Sequence, residues 1–189
     1  STKFVARVGA SLRGLSDAAL VVVPKTMKVE LHNTLATSAH DQAVVRVGNN
    51  DQSQVDPADD PIDILIRNMM IPTHRGKRGL ELNCDTVDID GLDVRDVYDG
   101  TAARRDSQAL SIINASGRIA VRNFYLEAGS ECFLIGGDEV DMKVVPENIV
   151  LEDGFMGRPL SWQNDGVYRK VKNIFEVKTG RGVIGRRIK

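Results

Sequence analysis

One short pattern, returning along the chain, limits what this sequence can fold into. Val29-Glu30-Leu31-His32-Asn33-Thr34-Leu35 alternates apolar and polar residues and then reaches an Asn suited to a turn, the signature of a strand with one buried face. The pattern returns as Ile64-Leu65-Ile66-Arg67-Asn68, Val87-Asp88-Ile89-Asp90-Gly91, Ile119-Ala120-Val121-Arg122-Asn123 and Ile149-Val150-Leu151-Glu152-Asp153, with a degenerate copy at Val183-Ile184-Gly185-Arg186-Arg187. First residues of successive copies lie 23 to 35 positions apart. No one copy can bury its own apolar face, so units at this spacing must stack on one another. The intervening segments are rich in Gly, Asp, Asn and Pro and hold extra short strands at Ala43 to Val47 and Cys132 to Ile135, which argues against a doubly wound α/β sheet. The expected fold is all-β: a right-handed parallel β-helix of about six coils over residues 26–189, with residues 1–25 as an N-terminal cap. Inward Val, Ile and Leu would form columns about 4.8 Å apart.

Outward residues offer a check on register. The fourth positions give the row His32, Arg67, Asp90, Arg122, Glu152, in which Asp90 falls between two arginines; the second positions give Glu30, Leu65, Asp88, Ala120, Val150. Alternating charge along a row favours one register over a slipped one. The final segment carries Lys178, Arg181, Arg186, Arg187 and Lys189 without an acid, as suits an edge that resists pairing with another chain.

Composition removes several function classes. The chain has 189 residues with 25 basic and 26 acidic side chains, so it lacks the cationic field that phosphate backbones demand, and nucleic acid is not an expected partner. No apolar run approaches the roughly 20 residues of a membrane span. Ser1-Thr2-Lys3-Phe4 is not followed by a secretion-type apolar segment, so either a signal has been removed or export takes another route. Two cysteines, Cys84 and Cys132, can form at most one bridge; buried free thiols are the simpler expectation. The histidines His32, His40 and His74 are dispersed, without zinc-ligand spacing.

The second half carries a set of motifs in fixed order: Arg105-Asp106-Ser107-Gln108-Ala109, Asn123-Phe124-Tyr125-Leu126-Glu127-Ala128, Gly129-Ser130-Glu131, Ile135-Gly136-Gly137, Arg158-Pro159-Leu160-Ser161-Trp162 and Val171-Lys172-Asn173-Ile174-Phe175-Glu176-Val177-Lys178. With His74-Arg75-Gly76-Lys77-Arg78-Gly79 upstream, the chain over roughly residues 40–180 resembles microbial and phage right-handed β-helix proteins of the pectate-lyase-like superfamily. Relatives of that kind continue into further coils after the Phe-Glu-Val-Lys segment, so a cleft built across later coils would be missing here. The resemblance implies a fold rather than an activity, since the superfamily holds pectate lyases, pectin-modifying enzymes and phage tailspikes.

Candidate chemistry follows from these motifs. A hydrolase needs paired carboxylates, for which Asp106, Glu131 and Glu176 are the candidates, with Arg158 and Lys178 as anion contacts. Trp162, the only tryptophan, is a candidate sugar platform beside Tyr125, Tyr168 or Phe155; His74 and Arg78 are candidate contacts to an anionic sugar. The bland reading of the same charges is an ion-pair network bracing loops against the coils. Calcium-dependent β-elimination needs converging acids, and the run Asp85, Asp88, Asp90, Asp93, Asp96, Asp99 offers them in sequence. The rows argue otherwise, because the coils next to Asp88 supply no carboxylate and Asp90 already lies between Arg67 and Arg122; no metal or other cofactor is expected.

Two functions compete. One is a structural or recognition β-helix, working as a phage virion protein (tailspike, fibre or capsid decoration) or an extracellular surface protein, assembled as a homo-oligomer or with other virion proteins and presenting loops to a partner or a polysaccharide. The other is a polysaccharide lyase or glycoside hydrolase on acidic polysaccharide. They part on whether the candidate side chains converge in an open groove or are bound up in mutual ion pairs.

Overall fold

The computed structural model describes residues 3–6, 11–14, 20–22, 28–38, 42–48, 61–137 and 145–189. His40 and much of the expected N-terminal cap lie outside them.

Among the described residues, fourteen strands form two parallel sheets. The first contains β1 (Lys3–Ala6), β2 (Ser11–Gly14), β4 (Lys28–Ser38), β6 (Ile64–Ile71), β8 (Val87–Val97), β10 (Arg118–Ala128), β12 (Glu147–Gly157) and β14 (Arg181–Ile188). Its order is β1-β4-β6-β8-β10-β12-β14, with β2 also on β4. The second runs β13-β11-β9-β7-β5-β3, built from β3 (Leu20–Val22), β5 (Ala43–Val47), β7 (Arg78–Leu82), β9 (Gln108–Ile112), β11 (Glu131–Ile135) and β13 (Phe175–Val177). Alternation between sheets along the chain, with every neighbour parallel, makes a β-solenoid. It has about four full turns, β6–β7, β8–β9, β10–β11 and β12–β13, fewer than the six coils expected; the flanking strands at either end are partly described or single. The short strands of residues 1–25 pair parallel with β4 and β5 at the N-terminal end of both sheets.

The register read from the sequence is the one observed. Leu31, Ile66, Ile89, Val121 and Leu151 are in mutual register and buried, and the second sheet supplies the facing column Val45, Leu80, Leu110, Phe133. Burial at 0–2% along these columns is where the hydrophobic stabilisation sits.

Two features depart from the expectation. The repeat is not a five-residue strand but the first half of one, continuing for up to eleven residues through its fifth position. At that position the backbone turns left-handed: φ is 52° at Asn68, 82° at Gly91, 52° at Asn123, 55° at Asp153 and 51° at Arg187. Asn, Asp and Gly tolerate this geometry best, which accounts for most of the column, and the second half then returns to the core through Leu92, Val94, Phe124 and Leu126. The second departure concerns charge. Asp90 is in register with Arg67 and Arg122, but both arginines reach diagonally to Asp88, at 3.3 and 2.9 Å, while Asp90 accepts from Asn123 Nδ2 at 2.6 Å. A long guanidinium spans the diagonal as easily as the direct neighbour.

Candidate functional site

One flank of the solenoid is built from the links between a first-sheet strand and its following second-sheet strand. These are residues 72–77, 98–107, the two residues Gly129 and Ser130, and 158–174. The Gly129-Ser130 link is too short to project, so it leaves a notch between its longer neighbours. Residues 158–174 fold back across it as a strap. The strap holds one 3-10 turn, Leu160–Asn164, and buries none of its residues, so polar contacts must hold it down. Arg158 donates to the carbonyls of Gly129 (2.9 Å), Ser130 and Lys172 (3.0 Å), and Ser130 Oγ donates to the Lys170 carbonyl at 2.9 Å. Gly129 permits the approach: a Cβ there would meet Ser107 Oγ at 3.2 Å and Arg169 Cβ at 3.3 Å.

The three candidate catalytic carboxylates come together here, around a cation. Lys172 Nζ lies 2.6 Å from Glu131, 3.0 Å from Asp106 and 3.9 Å from Glu176. Asp106 also meets Lys170 at 2.7 Å, and Glu131, buried to 1% exposure, accepts from Gln108 Nε2 at 2.7 Å. Burial by itself would raise the Asp106 carboxyl, but hydrogen bonds and charge from Lys170 and Lys172 outweigh it and hold it below the usual range. The Lys172 ammonium is pushed well above its ordinary value, chiefly by its hydrogen bond to Glu131, against the opposing effect of burial. Asp106 is therefore held ionised, the opposite of a proton donor with a raised pKa.

The other candidates take separate places. Trp162 is not beside Tyr125, which stacks on Phe155 at 4.8 Å. It packs instead on the guanidinium of Arg169, 4.2 Å from its ring, and the same guanidinium lies 4.8 Å from the Tyr98 ring and pairs with Asp165 (2.8 Å) and Asp96 (3.3 Å). His74, a candidate sugar contact, is buried, with Nε2 2.7 Å from the Gln42 carbonyl. Arg78 reaches the fully buried Glu81 at 3.0 Å and donates to Gln108 at 3.2 Å. Lys178 is exposed.

Beside β7, β9, β11 and β13, a groove of about 440 Å³ gathers Lys77, Arg78, Arg104, Arg105, Lys170 and Lys178, and among the described residues its lining holds one carboxylate, Asp106. Of these cations the sequence singles out Arg78 and Lys178 but not Lys77, Arg104, Arg105 or Lys170, nor Lys172 in the ion cluster. Lys170 and Lys172, two positions apart, both reach the Asp106 carboxylate. The acidic run does not converge. Asp88 pairs with Arg67 and Arg122, Asp93 with Arg95 at 2.7 Å, Asp96 with Arg169 and Asp99 with Arg105 at 2.9 Å. Among the described residues no three His, Cys, Asp or Glu side chains are arranged to hold a metal ion, and no helix is long and apolar enough to cross a membrane. Cys84 and Cys132 are not joined in a disulfide, and both are buried. Comparison of the chain with protein-family models, curated proteins and solved structures gives no match, so what is established is a parallel β-solenoid whose loop flank carries a cationic groove over a Lys172-centred ion cluster.

Proposed function

We propose that this chain is a non-cleaving recognition module on a pectate-lyase-like β-helix scaffold, working on a virion or outside the cell, whose loop flank takes an acidic polysaccharide along the cationic groove. The observation that carries the reading is the arrangement around Lys172: the acids that cleavage would need are joined by salt bridges that brace the strap, and among the described residues lining the groove six are cations against the one carboxylate of Asp106. Ion pairs of this kind fix loop positions, which suits presentation of a surface. Lys170 and Lys178 on one wall and Lys77 and Arg78 on another would meet successive carboxylate or sulfate groups.

The competing reading, a lyase or hydrolase, draws on the same convergence of Asp106, Glu131 and Glu176. Retention on immobilised polyuronate and sulfated glycan separates the two when run with assays for new reducing ends and for unsaturated products. The recognition reading expects salt-sensitive retention without product. Product formation that Asp106→Ala or Glu131→Ala abolishes would establish the enzyme instead. Light scattering on the native particle tests the assembly, with a defined oligomer or particle-bound copy number expected.

A further inference from the structure

Next to the groove, and sharing Arg104 with it, lies a second cleft of about 410 Å³ between residues 75, 98–104 and 167–168. We propose that this cleft is a site for a phosphomonoester carried on a sugar, gripped between Arg75 and Arg104. Both arginines are exposed, and among the described residues neither meets a carboxylate. Each is held by an aromatic ring: the Arg104 guanidinium lies 4.1 Å from the centroid of Tyr168, and that of Arg75 lies 5.8 Å from the centroid of Tyr98. A guanidinium positioned over a ring keeps N–H edges available for a planar, bidentate grip on an oxyanion.

The carboxylate in the lining, Asp99, is fully engaged. It accepts from Arg105 Nε at 2.9 Å and from the backbone N–H groups of Thr101 and Arg105 at 3.0 and 2.6 Å. Among the described residues, two positive charges thus face the cleft without a carboxylate partner, matching the charge of about −1.5 to −2 on a phosphomonoester better than the single charge of a uronate. Arg104 is also strained, with φ at 48° in a residue that is neither Gly nor Asn, and such strain collects at ligand sites. A sugar is the fitting carrier. Tyr98 is only 5% exposed, so Tyr168, half exposed and with Arg104 over one face, has no second open ring with which to sandwich a nucleobase, while Gly100, Thr101 and Ala102 leave room for a pyranose. This choice of carrier rests on the recognition reading above; the arginine grip does not.

Calorimetric titration of the whole chain with a hexose phosphate, inorganic phosphate, a hexuronate, a nucleoside monophosphate and a neutral hexose tests the site. The hexose phosphate is expected to bind most tightly, by about tenfold over the hexuronate, and Arg75→Ala and Arg104→Ala are each expected to weaken it by about tenfold or more. Arg104→Gly removes the backbone strain, so it is expected to lose binding equally while its thermal midpoint is no lower than that of the parent, which separates loss of ligand from loss of fold. Binding that survives Arg104→Ala, a hexuronate or nucleoside monophosphate that binds as tightly as the hexose phosphate, or inorganic phosphate that does so, overturns the proposal. Polysaccharide retention measured on the same variants keeps the two readings apart: hexose phosphate binding without retention sinks only the groove.

Discussion

Lys172 Nζ sits 2.6 Å from Oε1 of Glu131, joining a strap that buries none of its own residues to a carboxylate that is itself buried in the coil beneath it. Replacing Lys172 by Met leaves Glu131 with Gln108 as a neutral partner and removes the bridge to Asp106. A buried charge stripped of its counter-ion is costly; because Lys172 is itself partly exposed, we expect a loss of about 2–4 kcal/mol in urea unfolding. Lys172→Met combined with Glu131→Gln should recover part of it. An unchanged urea midpoint in the single variant would show that the pair contributes nothing to the fold.

Acid should loosen the same flank together with the charged row of the first sheet. The Asp88, Asp99 and Asp106 carboxyls are each subject to burial, which raises them. They are nonetheless held below their ordinary range by Arg67 and Arg122, by Arg105 with backbone N–H groups, and by Lys170 and Lys172. A carboxyl with a depressed folded-state pKa contributes stability that is present above the unfolded value of about 3.9 and is lost as pH falls through the folded value. Stability should therefore hold from neutrality to about pH 5 and decline below about pH 4. Trp162, packed on Arg169, should report release of the strap by a red shift in emission over the same interval.

The left-handed column makes a sharp stability test at Asn123. Asn123→Gly keeps access to φ 52° and should cost little beyond the bond to Asp90, about 0.5 kcal/mol, whereas Asn123→Ala should cost about 1–2 kcal/mol. Thermal or urea unfolding of the two variants checks the order; equal losses would mean that the hydrogen bond, not the backbone, selects Asn.

Cys132 should resist alkylation in the folded protein. Burial pushes its thiol pKa up, and Sγ lies 3.4 Å from the Gly157 carbonyl. Mass spectrometry after brief treatment with iodoacetamide should find both cysteines unmodified until denaturant is added, since Cys84 is equally buried.

Sequence by itself determined the coil and its register. Apolar residues at alternate positions, returning at intervals of one turn, can be buried together only by stacking in step, because a slip of one residue would turn each column outward. That logic places Leu31 over Ile66, Ile89, Val121 and Leu151, as the strand pairing has them. It also drew attention to the fifth position of the repeat, although only the structure showed the chain passing through a left-handed residue there and returning to the core. Tertiary structure alone decided the loop flank. The strap has no apolar period to read, and its course follows from the two-residue link at Gly129-Ser130, which leaves the space that it fills. Whether Arg122 prefers Asp88 or Asp90, whether Asp106 and Glu131 face a cleft or an ammonium, and whether His74 is solvated or buried all depend on distances between segments tens of residues apart. A repeat fixes which residues are neighbours along a column; long polar side chains choose among several partners within reach, and only their three-dimensional placement makes that choice.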